Sequence, residues 1–384
     1  MPSTRATIWF LARRAMSRPI TLRRIPIEAR RNRGAAILIL ITIILLATTT
    51  LLVSEISVNK TVSSRFTNNS LTLSDAKEAL LGYALAQATP GSLPCPDSTG
   101  NGLENTNGTG CQTQLGLLPT RTLNLPLLTD SAGASLWYAV SLNIVTNATA
   151  QKNSSSPANL SLDGQPAVAI IIAPGHAING QSRRQLVVAD YLEGNNADGN
   201  TTDYESTITA TSNDQLLSIE PHNFWSLIEK RVLAEASRLF RSYRAACGEF
   251  PFAADFGGPY NSVTNQQAGA PPFNSALPTA WGAACGANVA PTPASWLSNQ
   301  WSDQLYYAMC RTIEGNCLTL IGGVPSAATS VILAPGIPLN LQTRPAADPT
   351  DYFEDENSSL PATQYRQRTV INHSSSYNDS STSL

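Results

Sequence analysis

The stretch VAIIIAPGHAI at 168–178, followed by DYLEGNNAD at 190–198, recurs as SVILAPGIPL at 330–339, followed by DYFEDENSS at 351–359. Ala-Pro-Gly and Asp-Tyr are both displaced by the same 161 residues. Two motifs do not keep one spacing by chance, so the chain reads as two copies of one unit. LWYAVS at 136–141 answers LYYAMC at 305–310, and DAKEALLGYALAQ before GSLPCPD answers AEASRLFRSYRAAC before GEFPFAAD. Each copy is a helix, a Pro-containing loop, a Tyr-Ala segment, a strand stopped at Ala-Pro-Gly, and an acidic Asp-Tyr segment. A period near 160 residues implies two tandem, duplicated α+β domains rather than a short-repeat solenoid. We place them at 54–220 and 221–365, the first with a helical extension over 54–88.

Ahead of both copies, residues 35–53 carry no charge and are almost wholly apolar. The leader 1–34 holds nine arginines against the single acid Glu28. An apolar helix of roughly 20 residues is needed to cross a bilayer core, and basic flanks stay cytoplasmic. The expectation is a transmembrane helix over 35–53 in a single-pass inner-membrane protein, N-terminus cytoplasmic and C-terminal domains periplasmic or extracellular. A cleaved secretory signal is the competing reading, but its apolar region is shorter and ends at a small-x-small site. From Ile56 to Gln87 apolar residues return every three or four positions, so the helix continues as an amphipathic one with a break at 67–70.

A second helix is expected after Pro221, with Phe224, Ile228, Val232, Leu239 and Tyr243 on one face. Strands are expected at 167–173 and 331–334, with 185–191 a further candidate. The tail 366–384 has no period and few apolar residues, and is expected to be disordered. Charged residues make up 14% of the chain, few against a norm of about 25%. Outside the leader the formal charge is −10, which leaves no basic patch for nucleic acid.

Six cysteines stand at 95, 111, 247, 285, 310 and 317. An even number suits the oxidising side of a membrane, although spacing alone allows fifteen pairings. Aligning the copies sets Cys111 opposite Cys285 and Cys95 near Cys247. A bond kept through duplication then gives Cys95–Cys111 and Cys247–Cys285, and leaves Cys310–Cys317.

Catalytic material is thin. His176, His222 and His373 are the histidines, and His176 is answered in the second copy by Ile337. No nucleophile elbow, zinc-helix motif or phosphate loop occurs, so no enzymatic activity is expected. No cofactor is expected either, calcium excepted. The Gly-rich loop PDSTGNGLENTNG offers Asp97, Asn101 and Glu104 as hard oxygen donors of the kind calcium selects, with a plain turn as the competing reading. Trp281, Trp296 and Trp301 read first as core and second as a binding surface.

RNRGAAILILITIILLATTTLLVSE, with DAKEALLGYALA, GSLPCPD, GLLPTRTL, LWYAV, APG and DYLEG in order behind it, resembles the type IV pilin-like and pseudopilin family. The resemblance covers 31 to about 220 and extends more loosely over the second copy. It implies a prepilin-type N-terminal segment, cut by a prepilin peptidase between Gly34 and Ala35 and methylated at the new terminus. It implies packing against other pilin or pseudopilin subunits in a type IV pilus or type II secretion pseudopilus. The family's first mature residue is usually Phe and its fifth usually Glu; here they are Ala35 and Ile39. A subunit with none above it has no neighbouring amine to neutralise, so the missing acid points to a non-enzymatic minor or tip component. The leader is long for the family, which makes Met16 an alternative start to Met1. The alternative function is a single-pass envelope protein that binds a ligand or calcium through its duplicated domains without assembling.

Overall fold

The computed structural model describes residues 33–178, 180–273, 284–285, 288–289, 292–311, 315–322, 324–339, 341–359, 361–367 and 376–384, and of 33–37, 50–64, 284–285 and 288–289 the backbone only. The chain divides into two compact units, Met1–Thr61 and Val62–Leu384.

Helix α1 runs Arg33–Ala86. It is not interrupted at 67–70, because Asn69 is buried and its Oδ1 accepts the Ser131 N–H at 2.7 Å. From there Leu73, Ala76, Leu80 and Ala84 line one buried face. No helix among the described residues is long and apolar enough to cross a membrane. The expected transmembrane helix over 35–53, and with it the single-pass inner-membrane location, is therefore corrected.

The first repeat contributes β1 (Leu115–Leu117), β2 (Trp137–Val140), β3 (Leu160–Leu162), β4 (Gln165–Ala167), β5 (Ala169–Ala173), β6 (Asp203–Tyr204) and β7 (Gln215–Ile219). Four of these form an antiparallel sheet in the order β1-β2-β5-β7, and β4-β3-β6 form a small second sheet. Helix α2 (Pro221–Cys247) opens the second repeat. Pro221 suits the first helical turn, where its missing N–H costs nothing, and Gly248 closes the helix in the left-handed region at φ 81°. There follow β8 (Ala268–Gly269), β9 (Ala284–Cys285), β10 (Asn288–Val289), α3 (Ser295–Trp301), β11 (Tyr306–Met309), β12 (Leu318–Ile321), β13 (Ser326–Ala328), β14 (Ser330–Ala334), β15 (Gln364–Arg366) and β16 (Ser380–Ser383). The orders β8-β11-β14-β16 and β13-β12-β15 repeat those of the first copy.

Both central strands, AIIIA and SVILA, are buried along their whole length, which alternation explains. Ile171 and Ile332 face the helices, while Ile170, Ile172, Val331 and Leu333 face the small sheets. The helix-facing sides of the two repeats merge into one core. Leu80 of α1, Trp225 and Phe240 of α2, Trp301 of α3, Ile171 and Ile332 all belong to it. The expected boundary at 220/221 lies within the unit Val62–Leu384.

Two local expectations also change. Residues 185–191 form no strand but lead into a single 3-10 turn at Val188–Asp190. The tail expected to be disordered supplies β16, which pairs with β14 from Ala334↔Ser380 to Val331↔Ser383. Backbone groups of a buried strand must find partners. Serine and threonine meet that need without any apolar signal. Deleting 376–384 should lower stability by several kcal/mol, from four register pairs at about 1 kcal/mol per hydrogen bond. Urea unfolding of the two chains would check it; equal midpoints would refute it.

Candidate functional site

Each central strand ends in Ala-Pro-Gly. Proline cannot donate to the ladder and ends it. Gly175 and Gly336 then turn with φ +66° in both copies, a conformation L side chains resist. At Gly175 an added Cβ would lie 2.9 Å from Asn213 Oδ1, and at Gly336 it would collide with the Asn378 side chain. Either Gly→Ala change should cost about 1–3 kcal/mol. Thermal unfolding would show this as a lower Tm; an unchanged Tm for both would contradict it.

The loop behind each glycine is held by the same bonds. Arg183 donates to Gly175 O at 2.7 Å, as Arg344 does to Gly336 O at 2.7 Å. Gln181 donates to Glu193 Oε1 and Gln342 to Glu354 Oε1, each at 2.8 Å. The N–H groups of Glu193 and Glu354 reach Asp214 and Asp379, at 3.0 and 3.1 Å. Asn196 and Asn357 donate to those same carboxyls, both at 3.0 Å. Asn213 and Asn378 donate back to the backbone O of His176 and Ile337, at 2.9 and 2.7 Å. The N–H of Gly175 is received by Asp130 Oδ2 at 2.7 Å, and that of Gly336 by Glu229 Oε1 at 2.9 Å. One acid lies in the loop between β1 and β2, the other on α2.

Asp214 and Asp379 are buried, each with an Oδ1 that receives no hydrogen bond. Burial pushes the Asp214 carboxyl up to about 8, and the neighbouring Glu193 carboxylate adds to the effect. Asp379 is pushed well above the usual carboxylate range by burial and by Glu354. Fully buried Glu229 is raised to about 7 by desolvation. A second carboxyl beside each in a dry site makes the charged form costly, which favours the protonated forms of Asp214 and Asp379.

The sign of the pH dependence follows. Below about pH 4 Asp214 is protonated in folded and unfolded chains alike. Between about 4 and about 8 the folded chain binds the extra proton, so stability falls as pH rises through that window and levels off above it. Asp214→Asn should flatten this slope and raise Tm at pH 8, because the amide oxygen still accepts from Glu193 N–H and Asn196. Melting curves from pH 5 to 9 would check this. A wild-type Tm that climbed across the window would refute it.

Sequence reasoning missed Asp130, Glu229, Asp214 and Asp379. The Asn-Asp pairs at 213–214 and 378–379 were a usable signal, but they repeat at 165 residues rather than 161.

The residues singled out from sequence fall elsewhere. Cys95–Cys111 and Cys310–Cys317 are disulfides. Closing the first loop, of sequence separation 16, stabilises the fold by about 3 kcal/mol in the chain-entropy view. Cys247 is also disulfide-bonded; the Cys285 side chain lies outside the described residues, as do Trp281 and His373. His176 is exposed. Trp301 is buried, and Trp296 is half-buried beneath the Arg231 guanidinium.

The three calcium candidates each accept backbone N–H groups in their own loop. Asp97 is buried, and its carboxylate receives the N–H groups of Thr99, Gly100 and Gly102 at 2.9, 2.8 and 2.6 Å. Asn101 Oδ1 accepts from Leu103 N–H and Glu104 Oε2 from Cys95 N–H. These bonds hold the LPCPD turn. No group of three or more His, Cys, Asp or Glu side chains among the described residues is placed to hold a metal ion.

Gly34 and Ala35 lie in the first turn of α1, and their side chains are outside the described residues. Beyond them Leu38–Ile41 and Ile43–Leu46 are all exposed, from 47% at Ile41 to 66% at Leu38. Thr42, Thr48 and Thr49 turn their hydroxyls back onto the carbonyls of Ile39, Ile44 and Leu45, so no free donor breaks the apolar surface. No protein-family model, curated protein or solved structure matches the chain.

Proposed function

We propose that the chain is a non-enzymatic subunit of a type IV pilus or type II secretion pseudopilus, of the minor or tip kind, joined to its neighbours through α1. The observation that carries this reading is the exposed apolar segment 38–46, set on a helix of 54 residues. Contiguous apolar surface of this kind marks an interaction site. Neighbouring apolar helices would cover it, and the loss of exposed area would drive association at about 25 cal/mol per Å2. The prepilin-like sequence around Gly34 and Ala35 supports the same reading, as does Ile39 in place of the acid that shaft subunits carry.

The test has two arms. Mass spectrometry of protein from cells with and without the prepilin peptidase should show a methylated terminus at Ala35 only in the first. Ile44→Asp should remove the protein from sheared filaments while leaving the Tm of its folded unit unchanged. An intact leader in both strains, together with normal recovery of Ile44→Asp in filaments, would defeat the proposal.

A further inference from the structure

Helix α2 carries five cations and buries none of them. Lys230, Arg238, Arg241 and Arg244 are exposed, and Arg231 is half-buried. At 3.6 residues per turn they fall within an arc of about 140°, opposite Ile228, Val232, Leu239 and Tyr243, and they run along about 21 Å of helix. Of the two acids in α2, Glu229 is buried, and Glu235 pairs with Arg238 at 2.6 Å. Arg231 and Arg241 each give an N–H to a carbonyl, of Gln87 and Ser383, which orients a guanidinium but leaves its charge uncancelled. The fold does not need this charge. With Tyr83 set opposite Tyr243, the first repeat has Ser70, Leu71, Glu78 and Leu81 where the second has Lys230, Arg231, Arg238 and Arg241.

The first repeat holds the complement. Asp163, Asp198, Asp203 and Glu205 are exposed and gather where β3 pairs with β6. Ser206 N–H donates to Asp163, Ser161 Oγ to Asp203 and Asn195 Nδ2 to Glu205, at 2.9, 2.6 and 2.6 Å. These neutral donors fix the carboxylates without cancelling their charge, and no ion pair among the described residues involves any of the four.

The second repeat is neutralised at the same place. Leu162 stands beside Tyr204 as Leu320 stands beside Tyr365, so Glu205 and Arg366 occupy equivalent positions. Each gives its N–H to the matching asparagine, Asn196 at 3.0 Å and Asn357 at 2.8 Å. Arg366 then pairs with Glu356 at 2.6 Å, whereas Glu205 meets Asn195 at the position of Glu356. The duplicated fold thus separates its charge, with a negative end on one repeat and a positive helix face on the other. Ile171 of β5 faces the helices while Ile170 and Ile172 face the small sheet, so α2 and the β3–β6 end lie on opposite sides of the first four-stranded sheet.

We propose that these two surfaces bind each other between copies of the chain: the acidic β3–β6 end of one docks on the basic face of α2 of a second. Every copy carries both halves of the contact, so no other partner is required. The contact joins unlike surfaces, which makes it head-to-tail and able to repeat along a row. Exposed ion pairs are individually weak and screened by salt, so the association is loose and ionic-strength dependent. It stands whether or not the chain enters a filament, because it uses none of residues 38–46.

Sedimentation of the full chain in a non-ionic detergent that covers residues 38–46 tests it. We expect reversible self-association that weakens about tenfold between about 0.05 and about 0.5 M NaCl. Lys230→Glu with Arg241→Glu, and Asp203→Lys with Glu205→Lys, should each weaken it about tenfold, and an equimolar mixture of the two variants should restore it. Lys230→Glu with Arg244→Glu repeats the first arm if the change at Arg241 disturbs folding through Ser383. Wild-type chains that stay monomeric at low salt, including chains that bind anionic lipid vesicles or an oligonucleotide instead, would overturn the proposal. So would association untouched by either reversal, or reversed variants that fail to complement each other.

Discussion

The folded unit depends on one contact: the apolar packing of α1 and α2 against the helix-facing sides of both four-stranded sheets. Leu73, Leu80 and Ala84 come from α1, and Phe224, Trp225, Ile228, Val232 and Phe240 from α2. Trp225 meets Trp301 edge-on, with ring centres 6.3 Å apart, and Phe240 lies 4.3 Å from Tyr307. Each buried side chain of this size contributes about 1.5–3 kcal/mol, so the shared core outweighs any single hydrogen bond or disulfide. It also explains why two repeats fold as one unit, since each would otherwise expose the side that the core covers.

On that frame the Ala-Pro-Gly loops act as polar latches at the ends of β5 and β14. Their carbonyl and N–H groups would be stranded beside apolar strands, and buried backbone groups must be paired. Arginine, glutamine and asparagine side chains supply the pairing, and the acids receive the remaining N–H groups. The result is a duplicated network whose buried carboxyls tie the stability of the folded unit to proton concentration. The two latches differ where their surroundings differ. A loop acid serves Gly175, but a helix acid serves Gly336, because α2 passes the second latch.

Legibility in the sequence followed the range of the interaction. The recurrence of Ala-Pro-Gly and Asp-Tyr at one offset, the apolar strands before them and the face of α2 are local patterns that side-chain chemistry dictates. The strand at Ser380–Ser383 was illegible because its role is to offer backbone bonds to β14, for which serine and threonine suffice. Residues 185–191 read as a strand from composition, yet 185–187 are exposed and lead into a 3-10 turn at Val188–Asp190. Asp97 and Glu104 stood out in the sequence as hard oxygen donors in a loop. What the structure adds is that their oxygens accept the N–H groups of a turn that sequence alone cannot close.

By itself the sequence determined the short-range facts: which strands are apolar, where proline and glycine stop them, where the second helix begins, and that one pattern occurs twice. Tertiary structure alone decided that the repeats share one core, that Asp130 and Glu229 perform one task from different elements, and that Ser155 of the first repeat bonds Gln304 of the second. The reason is distance along the chain. Neighbouring residues constrain each other through backbone geometry, whereas Gly336 and Glu229, or Ser155 and Gln304, meet only after burial of the core has brought them together.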